Sequence, residues 1–235
     1  MQRFAVLHDD ANSLLRRALN ETAAAADGAA GGGSAALPRG CVTMLSGRSG
    51  AGKSALCRQL CAHAAAEGRA LLVETVGGGG GAAAVAQAAA ERYFASDAYE
   101  LMALLDALQA EQRGAAEGAR PVRLLVVDSV ADLVAPLACD EMPGSSLGQG
   151  ILSSLAWQLR AFAAESRASV VVVNAMTADM AGARSAGAAP LYGALWASSS
   201  HTDYRVTAAG SGGEPARAVL RHSVAGRVLG EMSLS

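Results

Sequence analysis

The chain has 235 residues with a formal net charge of −2, and 51% of its residues are hydrophobic while 4% are aromatic. That length fits one α/β domain with short appendages, and the near-neutral charge excludes a global basic field for nucleic acid. No apolar run is long enough to span a membrane, and acids stand where a signal peptide would be apolar, so we expect a soluble intracellular protein.

The first 37 residues are predicted to form a short helix and a flexible connector. Apolar residues lie at helical spacing within residues 12–19. Residues 21–36 are rich in Ala and Gly and low in complexity, which is typical of a linker. We therefore place the folded domain at residues 38–235.

Residues 47–54 read GRSGAGKS and contain the only lysine of the chain. They match the phosphate-binding pattern G-x-x-x-x-G-K-[ST], in which backbone N–H groups surround the phosphates and the lysine reaches the β and γ phosphates. A predicted strand at 42–46 and a predicted helix at 54–67 provide the context that this motif requires. We predict that ATP binds through Gly47, Arg48, Ser49, Gly50, Ala51, Gly52, Lys53 and Ser54.

The rest of the domain is predicted to alternate strands with helices. Continuous apolar runs separated by helices indicate a parallel sheet that is covered on both faces. Three segments after residue 203 are predicted as antiparallel strands that close one edge. The predicted strands are 70–74, 123–128 and 169–174, and the predicted helices are about 82–92, 97–112 and 150–165.

Two polar residues end apolar strands of this predicted sheet. Asp128 stands at the strand end where open α/β sheets bind ligands, and with the Ser54 hydroxyl it is a candidate to hold Mg²⁺. Asn174 is a candidate to sense the γ phosphate or to bond a hydrolytic water. The alternative for both residues is that they only form turns.

The four cysteines show no metal-binding arrangement. Neither a C-x-x-C pair nor a His/Cys ligand spacing occurs in the sequence. We predict that Cys41, Cys57, Cys61 and Cys139 are reduced and structural, and we expect no zinc site.

The chain carries, in this order, GRSGAGKS, LLVVDSVADLV, VVVVNAMT and PLYGALW. This order resembles the ATPase core of the RecA/RadA recombinase family, and YELMALLDALQ with VVDSVADLVAPL is most similar to the eukaryotic D-type paralogue. The resemblance covers residues 38–235 and implies a RecA-like core that binds ATP and Mg²⁺. It also implies a nuclear protein of homologous recombination and double-strand break repair, which assembles with other recombinase paralogues and binds single-stranded DNA.

The sequence departs from the family pattern at the expected catalytic base and in the DNA-facing loops. Val76 stands where active members have a glutamate that polarises the attacking water, and Glu74 can replace it only if the strand end shifts register. The first loop, at about 138–148, is acidic, and the second, at about 175–189, has Arg184 as its only base. Because phosphate neutralisation drives nucleic-acid affinity, we predict weak DNA binding. Arg184 is the candidate contact, and the alternative is that it is a solvated loop residue.

These observations leave three functions open. The first is a nucleotide-switched assembly subunit that supports recombinase loading on single-stranded DNA and is at most a weak DNA-stimulated ATPase. The second is an active DNA-dependent ATPase with strand-exchange activity, and the third is a small-molecule kinase. Val76 and the acidic loop favour the first, and a lack of arginines for a lid argues against the third. The catalytic candidates are Lys53, Asn174 and Glu74.

Overall fold

The computed structural model describes residues 37–75, 90–138, 146–176, 199–209, 217–224 and 227–234. The predicted N-terminal helix and connector, Val76 with its glycine run, Cys139 and Arg184 lie outside these residues. Within the described ranges, no helix has the length and apolar character needed to cross a membrane.

The described residues contain one eight-stranded sheet, whose order is β3-β2-β4-β5-β1-β6-β7-β8 when the strands are numbered along the chain. Its first six strands in this order run parallel, which confirms the predicted α/β fold with a mainly parallel sheet. The last two pair antiparallel with their neighbours. The strands are β1 (Val42–Gly47), β2 (Arg69–Thr75), β3 (Glu91–Ala95), β4 (Val122–Asp128), β5 (Ser169–Asn174), β6 (Thr202–Ala209), β7 (Arg217–Val224) and β8 (Arg227–Leu234).

Helices cover both faces of the parallel part of the sheet. They are α1 (Lys53–Glu67), α2 (Ala98–Arg113), α3 (Val130–Ala138) and α4 (Ser146–Ser166). Helix α1 packs on one face through a smaller apolar cluster, and the other three helices pack on the opposite face around a larger one. Because both faces are covered, every residue of β1 and β5 is buried, as expected for continuous apolar strands.

Gly47 connects β1 to the loop before α1 at a point where β6 lies very close. A Cβ atom on this residue would stand 2.5 Å from the carbonyl oxygen of Val206. No side chain fits there without displacing β6, so Gly47 is required by the sheet as well as by the loop.

The predicted helix at about 82–92 is wrong for its last two residues, which belong to the edge strand β3. Tyr93 and Phe94 favour a strand, and Glu91 and Arg92 make ion pairs with residues of the neighbouring strand β2. These pairs form between elements far apart in the sequence, so helical spacing alone gives no sign of them.

Two further differences concern α3 and β6. Helix α3 was not predicted, because its nine residues are few and include Pro136, which usually ends a helix. Strand β6 was predicted as part of an antiparallel group, but it pairs parallel with β1 and antiparallel only with β7. The parallel sheet therefore extends one strand further than the sequence indicated.

Candidate functional site

The loop between β1 and α1 lies at the carboxyl edge of the sheet, where the parallel strands end. Gly50 and Gly52 have φ angles of 76° and 92°, a backbone conformation that favours glycine. A Cβ atom at either position would meet nothing within 4 Å, so the backbone conformation and not space requires glycine. The N–H of Ala51 donates to the carbonyl of Arg48 at 3.2 Å and closes a tight turn.

The N-terminus of α1 is open to an anion. Gly52 is its N-cap residue, no side chain caps it, and its first turn contains no acidic residue. The N–H groups of the first helical residues have no acceptor within the helix, and the helix dipole places partial positive charge there. Such a terminus, preceded by a glycine-rich loop, suits a phosphate.

Lys53 is held against the loop that precedes it. Its Nζ donates to the carbonyl oxygen of Gly47 at 2.7 Å and to that of Arg48 at 2.9 Å. The same side chain lines a cavity in front of the loop. The ammonium of the only lysine in the sequence therefore lies beside the N-terminus of α1.

This cavity has a volume of about 440 Å³, which lies within the usual range for small-molecule sites. It brings together the predicted residues Lys53, Ser54, Asp128 and Asn174, which come from three separate parts of the chain. The wall of the cavity is formed by Ser49, Gly50, Gly52, Lys53, Ser54, Ala55, Arg58, Asp128, Ser129, Asp132, Val173, Asn174 and Ala175.

Two charged side chains on the cavity wall have no partner among the described residues. The carboxylate of Asp128 and the guanidinium of Arg58 are both half-buried, yet neither makes a hydrogen bond or an ion pair in that part of the chain. Half-buried charges are normally paired or hydrogen-bonded. These two groups are therefore available to a ligand.

Asn174 is fully buried at the end of β5 and lines the cavity. Its Oδ1 accepts a hydrogen bond from the N–H of Ala175 at 2.9 Å, which shapes the turn after β5. Its Nδ2 donates to the sulfur of Met44 at 3.7 Å, and the residue also lines the cavity. The amide is thus fixed in position at the carboxyl edge of the sheet.

Glu74 lies beside Asp128 in the sheet register but does not line the cavity. Its carboxylate accepts hydrogen bonds from the guanidinium of Arg92 on β3, including one from Nε at 3.1 Å. The candidate replacement for the catalytic base is therefore engaged in an ion pair at the sheet edge.

Three side chains that the sequence did not single out form a network next to Asp128. The hydroxyl of Ser129 donates to Oδ2 of Asp132 at 2.5 Å, and the hydroxyl of Thr75 donates to the same oxygen at 3.1 Å. The N–H of Ser129 donates to Oγ1 of Thr75 at 3.0 Å. This network joins the end of β2 to the first turn of α3 and places Asp132 on the cavity wall.

Sequence signals for the missed residues exist but are weak. Arg58 stands four residues after Ser54, so the two share a face of α1. Asp132 stands four residues after Asp128, a spacing that places it on the wall only because α3 begins at Val130. Without a prediction of α3, the position of Asp132 could not be inferred.

The donor set fits Mg²⁺ better than a metal held by protein ligands alone. Among the described residues, no group of three or more His, Cys, Asp and Glu side chains is placed to hold a metal ion. Ser54 and Asp128 supply oxygen donors on the same wall. Mg²⁺ is commonly held by one or two such groups together with waters and substrate phosphates.

The described cysteines are thiols, and two of them lie on α1. Cys41, Cys57 and Cys61 are free thiols, as predicted. Burial raises the pKa of the Cys57 thiol well above its ordinary value, and the neighbouring carboxylate of Asp128 acts in the same direction. Burial raises the pKa of Cys61 to about 12. Both α1 thiols therefore stay protonated and pack as small apolar groups.

Comparison of the chain with protein-family models and with curated proteins gives no match. What the chain binds must therefore be inferred from the cavity wall. That wall combines a glycine-rich loop at a helix N-terminus, a lysine, two oxygen donors and a buried amide.

Proposed function

We propose that the chain binds ATP with Mg²⁺ in this cavity. The supporting observation is the convergence of Lys53, Ser54 and Asp128 on one wall, at the open N-terminus of α1. The three groups have the chemistry expected of a phosphate site, namely a cation, a hydroxyl and an unpaired carboxylate.

Each group has a distinct part in binding. The N–H groups of the loop and of the first turn of α1 hold the phosphates, and Lys53 adds a point charge that can reach the β and γ phosphates. Ser54 and Asp128 hold the metal and its water shell. Mg²⁺, when bound, would neutralise phosphate charge.

We further propose that the ATP-bound chain is an assembly subunit in homologous recombination and double-strand break repair. In this role it joins other recombinase paralogues in the nucleus and supports recombinase loading on single-stranded DNA. The motif order described above supports this role, and the ion pair between Glu74 and Arg92 favours slow turnover. ATP occupancy, more than hydrolysis, then selects the conformation that assembles.

The alternative is a DNA-dependent ATPase with strand-exchange activity. One observation favours it: a second carboxylate, that of Asp132, lies on the cavity wall together with Asp128. A site with two carboxylates can serve both the metal and the attacking water. The two functions differ in how strongly DNA stimulates turnover.

The test is to measure ATP binding and ATP hydrolysis by the purified chain, with and without single-stranded DNA. An assembly subunit binds ATP and hydrolyses it slowly. DNA raises its hydrolysis rate by less than about tenfold, which corresponds to about 1.4 kcal/mol of activation free energy. It also associates with other recombinase paralogues more tightly when ATP is present. Stimulation well above tenfold supports the alternative, and failure to bind at about 1 mM ATP contradicts both functions.

A further inference from the structure

Asp132 occupies the cavity wall with one of its two oxygens already engaged. Both hydrogen bonds that it accepts, from Ser129 at 2.5 Å and from Thr75 at 3.1 Å, go to Oδ2. Within the described part of the chain, Oδ1 accepts no hydrogen bond. The carboxylate is thus held on one side and open on the other.

The other carboxylates near the carboxyl edge have different tasks. Asp128 is the metal-side carboxylate of the proposed site, and Glu74 is paired with Arg92 outside the cavity. Among the described residues, Asp132 is therefore the remaining carboxylate on the wall. It is also the one whose orientation is fixed by two hydroxyl donors.

We propose that Asp132 orients the water that attacks the γ phosphate and accepts its proton. This inference rests on the proposed ATP site. A carboxylate fixed by two hydroxyls meets the requirement that a general base be positioned before the reaction. The chain thereby has a route to slow ATP hydrolysis without Glu74.

The reaction balances without any further reactant. The oxygen of the water forms a bond to the γ phosphorus while the bond from that phosphorus to the bridging oxygen breaks. The leaving ADP keeps the electron pair of the broken bond. The proton of the water passes to Oδ1 of Asp132 and then to the released phosphate or to solvent.

The variant Asp132→Asn tests this role with little change in shape. An asparagine keeps one oxygen to accept from Ser129 and Thr75, but places an NH₂ donor where Oδ1 accepts from water. The matched control is Asp106→Asn, because Asp106 is exposed on α2 and does not line the cavity. Thermal unfolding and ADP affinity show whether each variant remains folded with an intact site.

We expect Asp132→Asn to lower the hydrolysis rate about 100-fold, in the range for loss of a general base, while ADP affinity changes less than about threefold. A second readout is independent of turnover. ADP with aluminium fluoride mimics the in-line transition state, which includes the attacking water, whereas ADP with beryllium fluoride mimics bound ATP. The variant is expected to lose the extra affinity conferred by aluminium fluoride and to keep that conferred by beryllium fluoride.

Several results would overturn this role and leave ATP binding intact. They are turnover by Asp132→Asn equal to that of Asp106→Asn, unchanged trapping by aluminium fluoride, or no turnover by the wild-type chain despite saturating ATP. Failure of the wild-type chain to bind ATP overturns the proposed function itself, and the role of Asp132 with it.

Discussion

Charges at the outer edge of the sheet are paired with one another, whereas two of the charges on the cavity wall have no such partner in the described part of the chain. At the start of β2, Arg69 donates to Glu91 at 2.7 Å and to Glu111 on α2 at 2.9 Å. On the cavity wall, Arg58 and Asp128 have no such partner among the described residues. The outer charges pair within the fold, and we propose that Arg58 and Asp128 act in ligand binding.

The ion pair between Arg69 and Glu91 at the outer edge shifts the pKa of both partners. The hydrogen bond between Arg69 and Glu91 is the main cause of a raised pKa for the guanidinium and a lowered pKa for the carboxyl. The ion pair therefore contributes to the stability of the fold, because each partner stabilises the charged form of the other. We propose that the charges of Arg58 and Asp128 act in ligand binding instead. A substitution at the outer edge should therefore lower stability and leave ATP affinity unchanged. A substitution of Arg58 or Asp128 should lower ATP affinity without lowering stability appreciably.

The largest effect is expected for Asp128→Asn in the cavity. Loss of the charge that we propose to hold Mg²⁺ should weaken ATP binding about 100-fold in the presence of Mg²⁺, and much less in its absence. The free energy of unfolding should stay the same or rise, because a half-buried unpaired carboxylate is removed. Calorimetric titration with and without Mg²⁺, together with urea unfolding, measures both quantities. A variant that unfolds more easily and binds ATP normally would place Asp128 with the structural charges.

A smaller effect is expected for Arg58→Gln. Its guanidinium lies on the same wall as Lys53, so its removal should weaken ATP binding about tenfold, the loss of one charge-assisted contact. ADP binding should change less if the contact is to the γ phosphate. Stability should change by less than about 0.5 kcal/mol, since no described residue pairs with Arg58. Equal losses for ATP and ADP would place Arg58 away from the γ phosphate.

The smallest effect is expected at the outer edge, for Glu91→Gln. Because the folded-state pKa of Glu91 is lowered, its pair with Arg69 stabilises the fold above the unfolded-state pKa. This stabilisation is lost as the pH falls through the folded-state pKa. At neutral pH the variant should be less stable by roughly 1 kcal/mol or less, as for other solvent-exposed pairs, and its ATP affinity should be unchanged.

Urea unfolding at neutral and acidic pH checks this prediction. The wild-type chain and Glu91→Gln should differ in stability at neutral pH and converge in acid. A constant difference across this pH range would mean that the ion pair is not the cause. Arg39→Gln is a matched control, because Arg39 pairs with Glu67 on a more exposed surface.

Local pattern was enough to predict the centre of the site. The glycine-rich loop, α1 and the ends of β4 and β5 depend on short runs whose structure follows from neighbouring residues. Because the strands run parallel, their carboxyl ends meet at one edge of the sheet. This edge brings together Lys53, Ser54, Asp128 and Asn174. Those four positions therefore follow from the sequence and one rule of sheet geometry.

The parts that escaped prediction depend on contacts between distant segments. Strand β3 pairs with β2, and Glu74 becomes engaged only because Arg92 lies on that neighbouring strand. Asp132 reaches the cavity because α3 starts at Val130, two residues after Asp128 ends β4. Such positions follow from strand order and helix starts, which short-range spacing does not determine.

The most direct test of the central claim is calorimetric titration of Mg-ATP into the wild-type chain and into Lys53→Arg. Arginine keeps the charge but replaces a compact ammonium by a planar fork, so only a specific phosphate contact distinguishes the two chains. We predict saturable binding to one site in the wild-type chain and binding weaker by about 100-fold in the variant. Equal affinities, or no binding by the wild-type chain, would contradict the assignment of this cavity to ATP.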